Sequence, residues 1–152
     1  MKIMDFLNPE AITIDLKAQD KKSAITELVE LLSKSKKLKK PGEVIDAILE
    51  REKLGSTGIG QGVAIPHGKT NAVSEQIGAF GISQKGVEFN SLDGEPVHLI
   101  FLLVGPVEVA GQHLKALARI SRLFKDKFFR QALKDAKSVE EIVKIIEKED
   151  EY

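Results

Sequence analysis

The side chains of this sequence best suited to covalent chemistry are its three histidines, because the chain contains no cysteine. Without cysteine there can be no disulfide framework, thiol nucleophile or thiolate metal site. An imidazole has an ordinary pKa of about 6.5, so much of it is unprotonated near neutral pH and can act as a nucleophile. The strongest candidate is His67, which lies between Pro66 and Gly68 directly after a predicted short strand. We expect this segment to form a surface loop. If His67 accepted a phosphoryl group there, the resulting N–P bond would be labile, which suits a residue that passes the group on.

Two further residues are placed to assist such a nucleophile. His113 begins a predicted helix after Gly105 and Pro106, and a helix N-terminus attracts anions while disfavouring a charged imidazole. Its neutral ring could donate an N–H to a phosphoryl oxygen, or it could only bind a neighbouring loop. Arg51 lies in the last turn of another predicted helix, just before a glycine-rich segment. Its guanidinium group could hold phosphoryl oxygens, or it could cap the helix C-terminus.

The third histidine, His98, is interpreted as structural. It is flanked by Val97 and Leu99 in an apolar run, where a histidine satisfied within the core or at a strand end is expected. A zinc site built from the three histidines is disfavoured, because they are scattered over a strand, a loop and a helix.

Two glycine-rich segments approach known phosphate-binding patterns without matching them. Residues 62–70 end in Gly-Lys-Thr, but Val63 stands where a P-loop needs a glycine. Pro66 also removes a backbone donor from a loop that works through its N–H groups. Residues 58–62 lack the dinucleotide spacing and follow a helix instead of a strand. We therefore expect no nucleotide and no other cofactor.

The hydrophobic pattern predicts an α/β sandwich with a central mixed β-sheet flanked by helices, because strands and helices alternate irregularly. Strands are predicted at 12–16, 63–65, 77–82, 87–89 and 97–104. Helices are predicted to begin at Asp20, at Pro41 (ending before Gly55), at His113, at Asp126 and at the capping box 138–141. The segment 97–104 is apolar apart from His98, which is typical of a central strand covered on both faces. The acidic end, residues 147–152, is expected to fray.

Length and charge limit the possible functions. A chain of 152 residues predicts a single domain over residues 1–152. A net charge of zero argues against a general nucleic-acid-binding protein. There is no apolar run long enough for membrane insertion and no secretory signal, so a cytoplasmic protein is expected. A local basic run is predicted to be a solvated connector between two helices, or alternatively a docking patch for an acidic partner: Lys34, Lys36, Lys37, Lys39 and Lys40.

Three segments carry a resemblance to a known family. Residues 51–69, REKLGSTGIGQGVAIPHGK, resemble the active-site signature of enzyme IIA domains of the bacterial phosphotransferase system. The resemblance is to the fructose/mannitol class, which includes the nitrogen-regulatory enzyme IIA. Residues 95–103, EPVHLIFLL, and 113–121, HLKALARIS, also resemble segments of this family. The resemblance covers nearly the whole chain, and its first motif is long and specific.

The resemblance implies a mixed sheet flanked by helices and a phosphoryl-carrier function. In this family the histidine that matches His67 receives a phosphoryl group from phospho-HPr and donates it to a cysteine of an enzyme IIB, here a separate protein, during sugar uptake. The second active-site histidine matches His113, and the phosphate-contacting arginine matches Arg51. No cofactor is implied.

Two functions remain open on this resemblance. One is a relay for a fructose-type sugar, and the other is a nitrogen-regulatory role in which the phosphorylation state controls partner binding. Leu54, Ser56 and Thr57 resemble the regulatory branch, whereas residues 96–103 and 113–121 are closer to the fructose branch. Because the latter segments span more of the chain, we expect the sugar relay.

Overall fold

The computed structural model describes residues 1–36 and 38–151. The strands are β1 (Leu7–Thr13), β2 (Gly58–Gly60), β3 (Val63–Ala64), β4 (His67–Lys69), β5 (Ile77–Val87) and β6 (Val97–Gly105). The helices are α1 (Lys21–Lys36), α2 (Pro41–Lys53), α3 (Ala110–Phe124), α4 (Lys127–Asp135) and α5 (Val139–Glu149). Short 3₁₀ turns lie at Ile3–Asp5 and Val107–Val109. None of the helices in the described part of the chain is long and apolar enough to cross a membrane.

The six strands form one mixed sheet in the order β1-β5-β6-β3-β2, with β4 paired to β6 beyond β3. The β5–β6 pair is antiparallel, while β3 and β4 run parallel to β6. The predicted α/β fold with a mixed sheet is therefore confirmed. The predicted central position of residues 97–104 is also confirmed, since β6 pairs with three other strands and is buried along almost its whole length.

Helices cover both faces of the sheet. Phe101 of β6 belongs to an apolar cluster with residues of α3, α4 and α5, including Ile120 and Ile142. Leu102 belongs to a second cluster on the opposite face, formed with α1 and α2. This alternation is what a strand between two helical layers requires, because successive side chains point to opposite faces.

The predicted helix starts agree with the structure except at α3, which begins at Ala110, three residues before the predicted start at His113, because the 3₁₀ turn Val107–Val109 leads directly into it. The Asp20 carboxylate accepts a hydrogen bond from the Ser23 amide at 2.9 Å, and Asp126 caps α4 in the same way. Ser138 Oγ accepts from the Glu141 amide at 3.1 Å. The second hydrogen bond of the predicted capping box, from the Ser138 amide to the Glu141 carboxylate, was wrong. The Glu141 carboxylate accepts from the Lys137 amide instead.

The strand predictions needed three corrections. The first strand lies at Leu7–Thr13 instead of 12–16, because its pairing with β5 is irregular between Leu7 and Ile12 and hides the alternation. The predicted strand 77–82 and only the first residue of the next predicted strand, Val87, belong to a single strand, β5, which continues through an irregularity between Ile82 and Val87. Strands β2 and β4 were missed because they are short and contain glycine.

Two predictions about charged segments were also wrong. The acidic C-terminus does not fray at Asp150, which is 2% exposed and bonded to the Ile3 amide at 2.5 Å. Lys34 and Lys36 belong to α1 instead of the connector that was predicted for the basic run. Lys37 and Tyr152 lie outside the described residues.

Candidate functional site

The structure brings Arg51, His67 and His113 to one open cavity of about 280 Å³. They come from three elements: the last turn of α2, the start of β4 and the first turn of α3. The other residues that line the cavity are Ala47, Gly68, Lys69, Leu114 and Leu117. The three candidate residues, predicted separately from their local sequence, are therefore neighbours in space.

His67 is held by short pairing between β4 and β6, in which it lies opposite Leu103. It is half-buried, so the prediction of a simple surface loop was wrong; β4 pairs with β6 on one side and packs against α2 on the other. Gly68 permits this packing, because a Cβ at that position would lie only 3.1 Å from the Ala47 carbonyl carbon. The close approach brings His67 beside the C-terminal turn that carries Arg51.

The hydrogen bonding of His67 selects one ring nitrogen for chemistry. Nδ1 donates to the Ile65 carbonyl oxygen at 2.8 Å, so in the neutral ring Nε2 has the free lone pair. Burial lowers the pKa of His67 below 6.5, and Arg51 and Lys69 lower it further, against opposing effects of the Ile65 carbonyl and Glu52. The neutral ring, which is the nucleophilic form, therefore predominates at pH 7.

His113 faces the domain interior, as its predicted helical phase indicated, and is only 3% exposed. Its ring centroid lies 5.8 Å from that of His67, with the ring planes inclined by 51°. Burial, followed by the nearby His67 and Lys69, lowers the pKa of His113 to about 4, so this ring is also neutral at pH 7. Nδ1 lies 3.2 Å from Oε1 of Gln76. Nε2 is buried and has no hydrogen-bond partner among the described residues.

Arg51 is bonded at the end of α2, and its side chain also lines the cavity. Its Nη1 donates to the Gly55 carbonyl oxygen at 3.0 Å, just beyond the end of α2, and its side chain lines the cavity. The adjacent Glu52 is buried and fixes this turn: its carboxylate accepts from the amide and hydroxyl of Thr57. Lys21 Nζ lies 3.0 Å from the same carboxylate and neutralises its charge.

The charge of the cavity suits an anion. Arg51 and Lys69 line it, and no acidic side chain is among its described lining residues. A phosphoryl group entering here would meet two cations and two neutral imidazoles. The cavity therefore combines a candidate nucleophile, His67, with two cationic side chains and a second imidazole.

His98 lies elsewhere, near the start of β6. Its Nδ1 is 2.8 Å from the Ser83 carbonyl oxygen, and the residue is half-buried. These are the features expected of a satisfied structural histidine, and His98 does not line the cavity.

Sequence reasoning did not single out Lys69, Gln76 or Glu52. Lys69 was considered as part of a failed P-loop match and as the last residue of the 51–69 motif, but no role was assigned to it, although its position two residues after His67 in an extended segment was a usable signal. Gln76 immediately precedes the predicted strand 77–82. This position places it at an end of the sheet, but it does not indicate which side chain Gln76 contacts. The burial of Glu52 carries no local signal, because Lys21 lies on a different helix.

Comparison with known proteins identifies relatives of the whole chain. Residues 5–149 match the family model described as "Phosphoenolpyruvate-dependent sugar phosphotransferase system, EIIA 2". The chain is 40% identical over 150 residues to the PTS system fructose-specific EIIABC component of Bacillus subtilis. That match covers 99% of this chain but only 24% of the relative, so this chain spans about a quarter of that protein's length.

Two other relatives are similar in size to this chain. The Nitrogen regulatory protein of Bradyrhizobium diazoefficiens is 40% identical over 148 residues, covering 96% of this chain and 95% of the relative. The crystal structure of Nitrogen Regulatory Protein IIA-Ntr from Neisseria meningitidis has a TM-score of 0.87 and 38% identity, covering 95% of this chain and 98% of that one. The extent of the family match, together with these identities, shows that the chain belongs to the EIIA 2 family of the phosphoenolpyruvate-dependent sugar phosphotransferase system.

Proposed function

We propose that this protein carries a phosphoryl group on Nε2 of His67. The group is accepted from phospho-HPr and donated to a cysteine of an enzyme IIB that serves the uptake of a fructose-type sugar. The observation that carries this proposal is the state of His67: Nδ1 is bound to the Ile65 carbonyl, which leaves Nε2 free in a cavity shared with Arg51 and His113.

The transfer requires no cofactor. The lone pair of His67 Nε2 attacks phosphorus in line with the N–P bond of the donor phosphohistidine, and that bond breaks as the new one forms. The hydrogen stays on Nδ1 throughout and is donated to the Ile65 carbonyl oxygen. In the second transfer a cysteine thiolate attacks the same phosphorus, and the electron pair of the N–P bond returns to His67 Nε2.

The neighbouring groups stabilise the transferring phosphoryl group. Arg51 and Lys69 supply positive charge beside its oxygens, and His113 supplies a hydrogen-bonding ring on the other side of the cavity. Catalysis of this kind depends on positioning and on electrostatic stabilisation, because the phosphoryl transition state spreads its charge over three oxygens.

A second candidate function is regulation through the phosphorylation state. It is supported by the 40% identity to the nitrogen regulatory relative over 96% of this chain. Phosphorylation adds close to two negative charges to a cavity that now has none, which can make or break a contact with a partner protein. The chemistry at His67 is the same in both functions.

The phosphorylation site is tested by labelling. Incubation with phosphoenolpyruvate, enzyme I and HPr is expected to give an acid-labile, base-stable adduct in the natural protein and none in His67→Ala. His98→Asn, which changes a histidine outside the cavity, is the matched control and should be labelled normally. A His67→Ala protein that is folded and still labelled would exclude His67 as the carrier.

The direction of the relay is tested by discharge. The phosphorylated protein is mixed with the separate enzyme IIB proteins of the same organism, and transfer to cysteine is followed. Rapid discharge to one of them, with sugar phosphorylation by its membrane partner, is the expected result. If none discharges it, and a partner protein binds only one phosphorylation state, the regulatory function replaces the relay.

A further inference from the structure

Two polar atoms beside the cavity are left without partners. In the described part of the chain, three buried side-chain polar atoms have no hydrogen bond: Nε2 of Gln76, Oγ of Ser91 and Nε2 of His113. Gln76 and His113 are themselves in contact, through Oε1 and Nδ1 at 3.2 Å. A buried polar atom without a partner destabilises the fold, so a contacting pair that holds two of them needs a physical explanation.

The Gln76 side chain is confined by the backbone of β6. Gln76 immediately precedes β5, whose first residue, Ile77, pairs with Val104, so that Gln76 lies beside Gly105. A Cβ on Gly105 would lie 2.5 Å from Nε2 of Gln76 and 2.7 Å from its Oε1. The amide group thus occupies the space that a side chain at Gly105 would fill, and from there it reaches the ring of His113.

The observed contact assigns the hydrogen on His113. A carbonyl oxygen only accepts, so Oε1 of Gln76 requires a hydrogen on Nδ1. In the neutral ring Nε2 is then a bare lone pair, as Nε2 of His67 is. The lone pairs on Nε2 of His67 and Nε2 of His113 are both compatible with an electrophile that enters the cavity. However, this form of His113 cannot donate a hydrogen bond to a phosphoryl oxygen.

Turning the amide over reverses the assignment. The oxygen and nitrogen of a primary amide are nearly equal in size, so the inverted group fits the same space beside Gly105. Nε2 of Gln76 then donates to Nδ1 of His113, and the ring hydrogen resides on Nε2. One proton leaves Nδ1 to solvent and one is taken from solvent at Nε2, so the charge of the ring is unchanged. With a phosphoryl oxygen present, both atoms that lacked a partner gain one, while Oε1 of Gln76 gives up its contact with Nδ1, so the pair is left with one atom without a partner instead of two.

We propose that Gln76 is a positioning residue that converts His113 from a hydrogen-bond acceptor into a donor by inverting its side-chain amide when a phosphoryl group occupies His67. This inference rests on the proposed function of His67. The alternative donor is a doubly protonated His113, a third cation beside Arg51 and Lys69, which the negative charge of the phosphoryl group favours and the two neighbouring cations oppose. The pKa of about 4 for His113 in the unphosphorylated protein also opposes it.

The switch is tested by NMR of protein labelled with ¹⁵N in histidine, recorded at pH 8 before and after phosphorylation by phosphoenolpyruvate, enzyme I and HPr. His113 is expected to carry its hydrogen on Nδ1 in the free protein and on Nε2 in the phosphorylated protein. Phosphorylated protein in which the hydrogen stays on Nδ1, or in which both nitrogens of His113 are protonated, would overturn the switch. A natural protein that takes up no phosphoryl group overturns the proposed function itself, so the two failures are distinguishable.

The role of Gln76 is tested with Gln76→Met, which keeps the length of the side chain but removes the amide. In the free variant His113 should lose its preference for Nδ1–H, and single-turnover uptake from phospho-HPr should slow by on the order of tenfold, the loss expected for one hydrogen bond. Gln84→Met changes an exposed glutamine on β5 and should match the natural protein in both measurements. An unchanged His113 tautomer in Gln76→Met would show that Gln76 does not set it.

Discussion

Two polar clusters each include a residue of α3, and they differ in how completely the hydrogen bonds of their buried atoms are formed. In the terminal cluster (Lys2, Ile3, Arg119 and Asp150), the Asp150 carboxylate accepts from the Ile3 amide and from Arg119 Nε, each at 2.5 Å. The Asp150 carbonyl accepts from Lys2 Nζ at 2.6 Å and from Arg119 Nη2 at 3.1 Å. The site pair, Gln76 and His113, has one contact and two buried atoms without partners.

This difference suggests that, on the same helix, the terminal cluster contributes to stability and the site pair contributes to function. A fully bonded buried ion pair is costly to break, because removing one partner strands the other. The terminal cluster therefore ties the two ends of the described chain to the body of the protein. Unsatisfied polar atoms destabilise a protein and persist where a ligand completes them. The comparison predicts that substitutions in one cluster change stability alone, and that substitutions around the other change transfer.

The largest effect is expected for Arg51→Ala. Single-turnover transfer from phospho-HPr should slow by about 10²–10³, because one preorganised charged donor is lost from the transition state. The unfolding free energy should change little, since the bond from Arg51 to the Gly55 carbonyl is exposed. Rapid-quench labelling and urea titration measure the two quantities. Lys53→Ala, an exposed cation on the same helical turn, is the control; equal rates in the two variants would contradict the role of Arg51.

Asp150→Ala should produce the opposite result. Its unfolding free energy should fall by about 3–5 kcal/mol, because Arg119 and the Ile3 amide lose their buried acceptor. Transfer from phospho-HPr should remain normal under conditions where the variant is folded. Glu151→Ala, which removes the adjacent exposed carboxylate, provides the comparison and should be nearly neutral. A loss of less than about 1 kcal/mol in Asp150→Ala would show that the terminal cluster does not stabilise the fold.

The pH dependence of the unfolding free energy tests the lowered pKa of His113. Its pKa is about 4 in the folded protein, below the value of about 6.5 in the unfolded chain, so the unfolded state binds the proton more tightly. The contribution of His113 to stability is therefore complete above pH 6.5. It is lost as the pH falls toward 4, by at most about 3 kcal/mol. His113→Leu should lose this part of the pH dependence in urea unfolding measured between pH 7 and pH 4. Parallel curves for the two proteins would contradict the pKa assigned to His113.

The smallest effect is expected for His98→Asn. Its bond to the Ser83 carbonyl should be weakened or lost, which lowers the unfolding free energy by about 1 kcal/mol. Transfer should not change, because His98 does not line the cavity. Thermal unfolding and the labelling assay together check both statements. A variant that is as stable as the natural protein but transfers slowly would place His98 in the function instead of the fold.

Much of the fold was predictable because its signals are local. The starts of α1, α2 and α4 follow from a capping aspartate or a proline within a few residues of each helix. The apolar run 97–104 predicted a central strand because it needs cover on both faces. His67 was predicted as the candidate nucleophile in the same way, since the glycine-rich motif around it is continuous in sequence.

Interactions between distant residues were decided by the tertiary structure alone. Gln76 and His113 are 37 positions apart, and Asp150 and Ile3 are 147 apart. No helical or strand period relates such residues, so the acidic C-terminus was predicted to fray and Gln76 was not singled out. The short strand β4 likewise depends on β6 and α2, which bury half of His67 against a segment whose own sequence favours a loop. The sequence by itself determined which residues could react, whereas the packing of β4, β6 and α3 determined their distances, their protonation and the partners that they still lack.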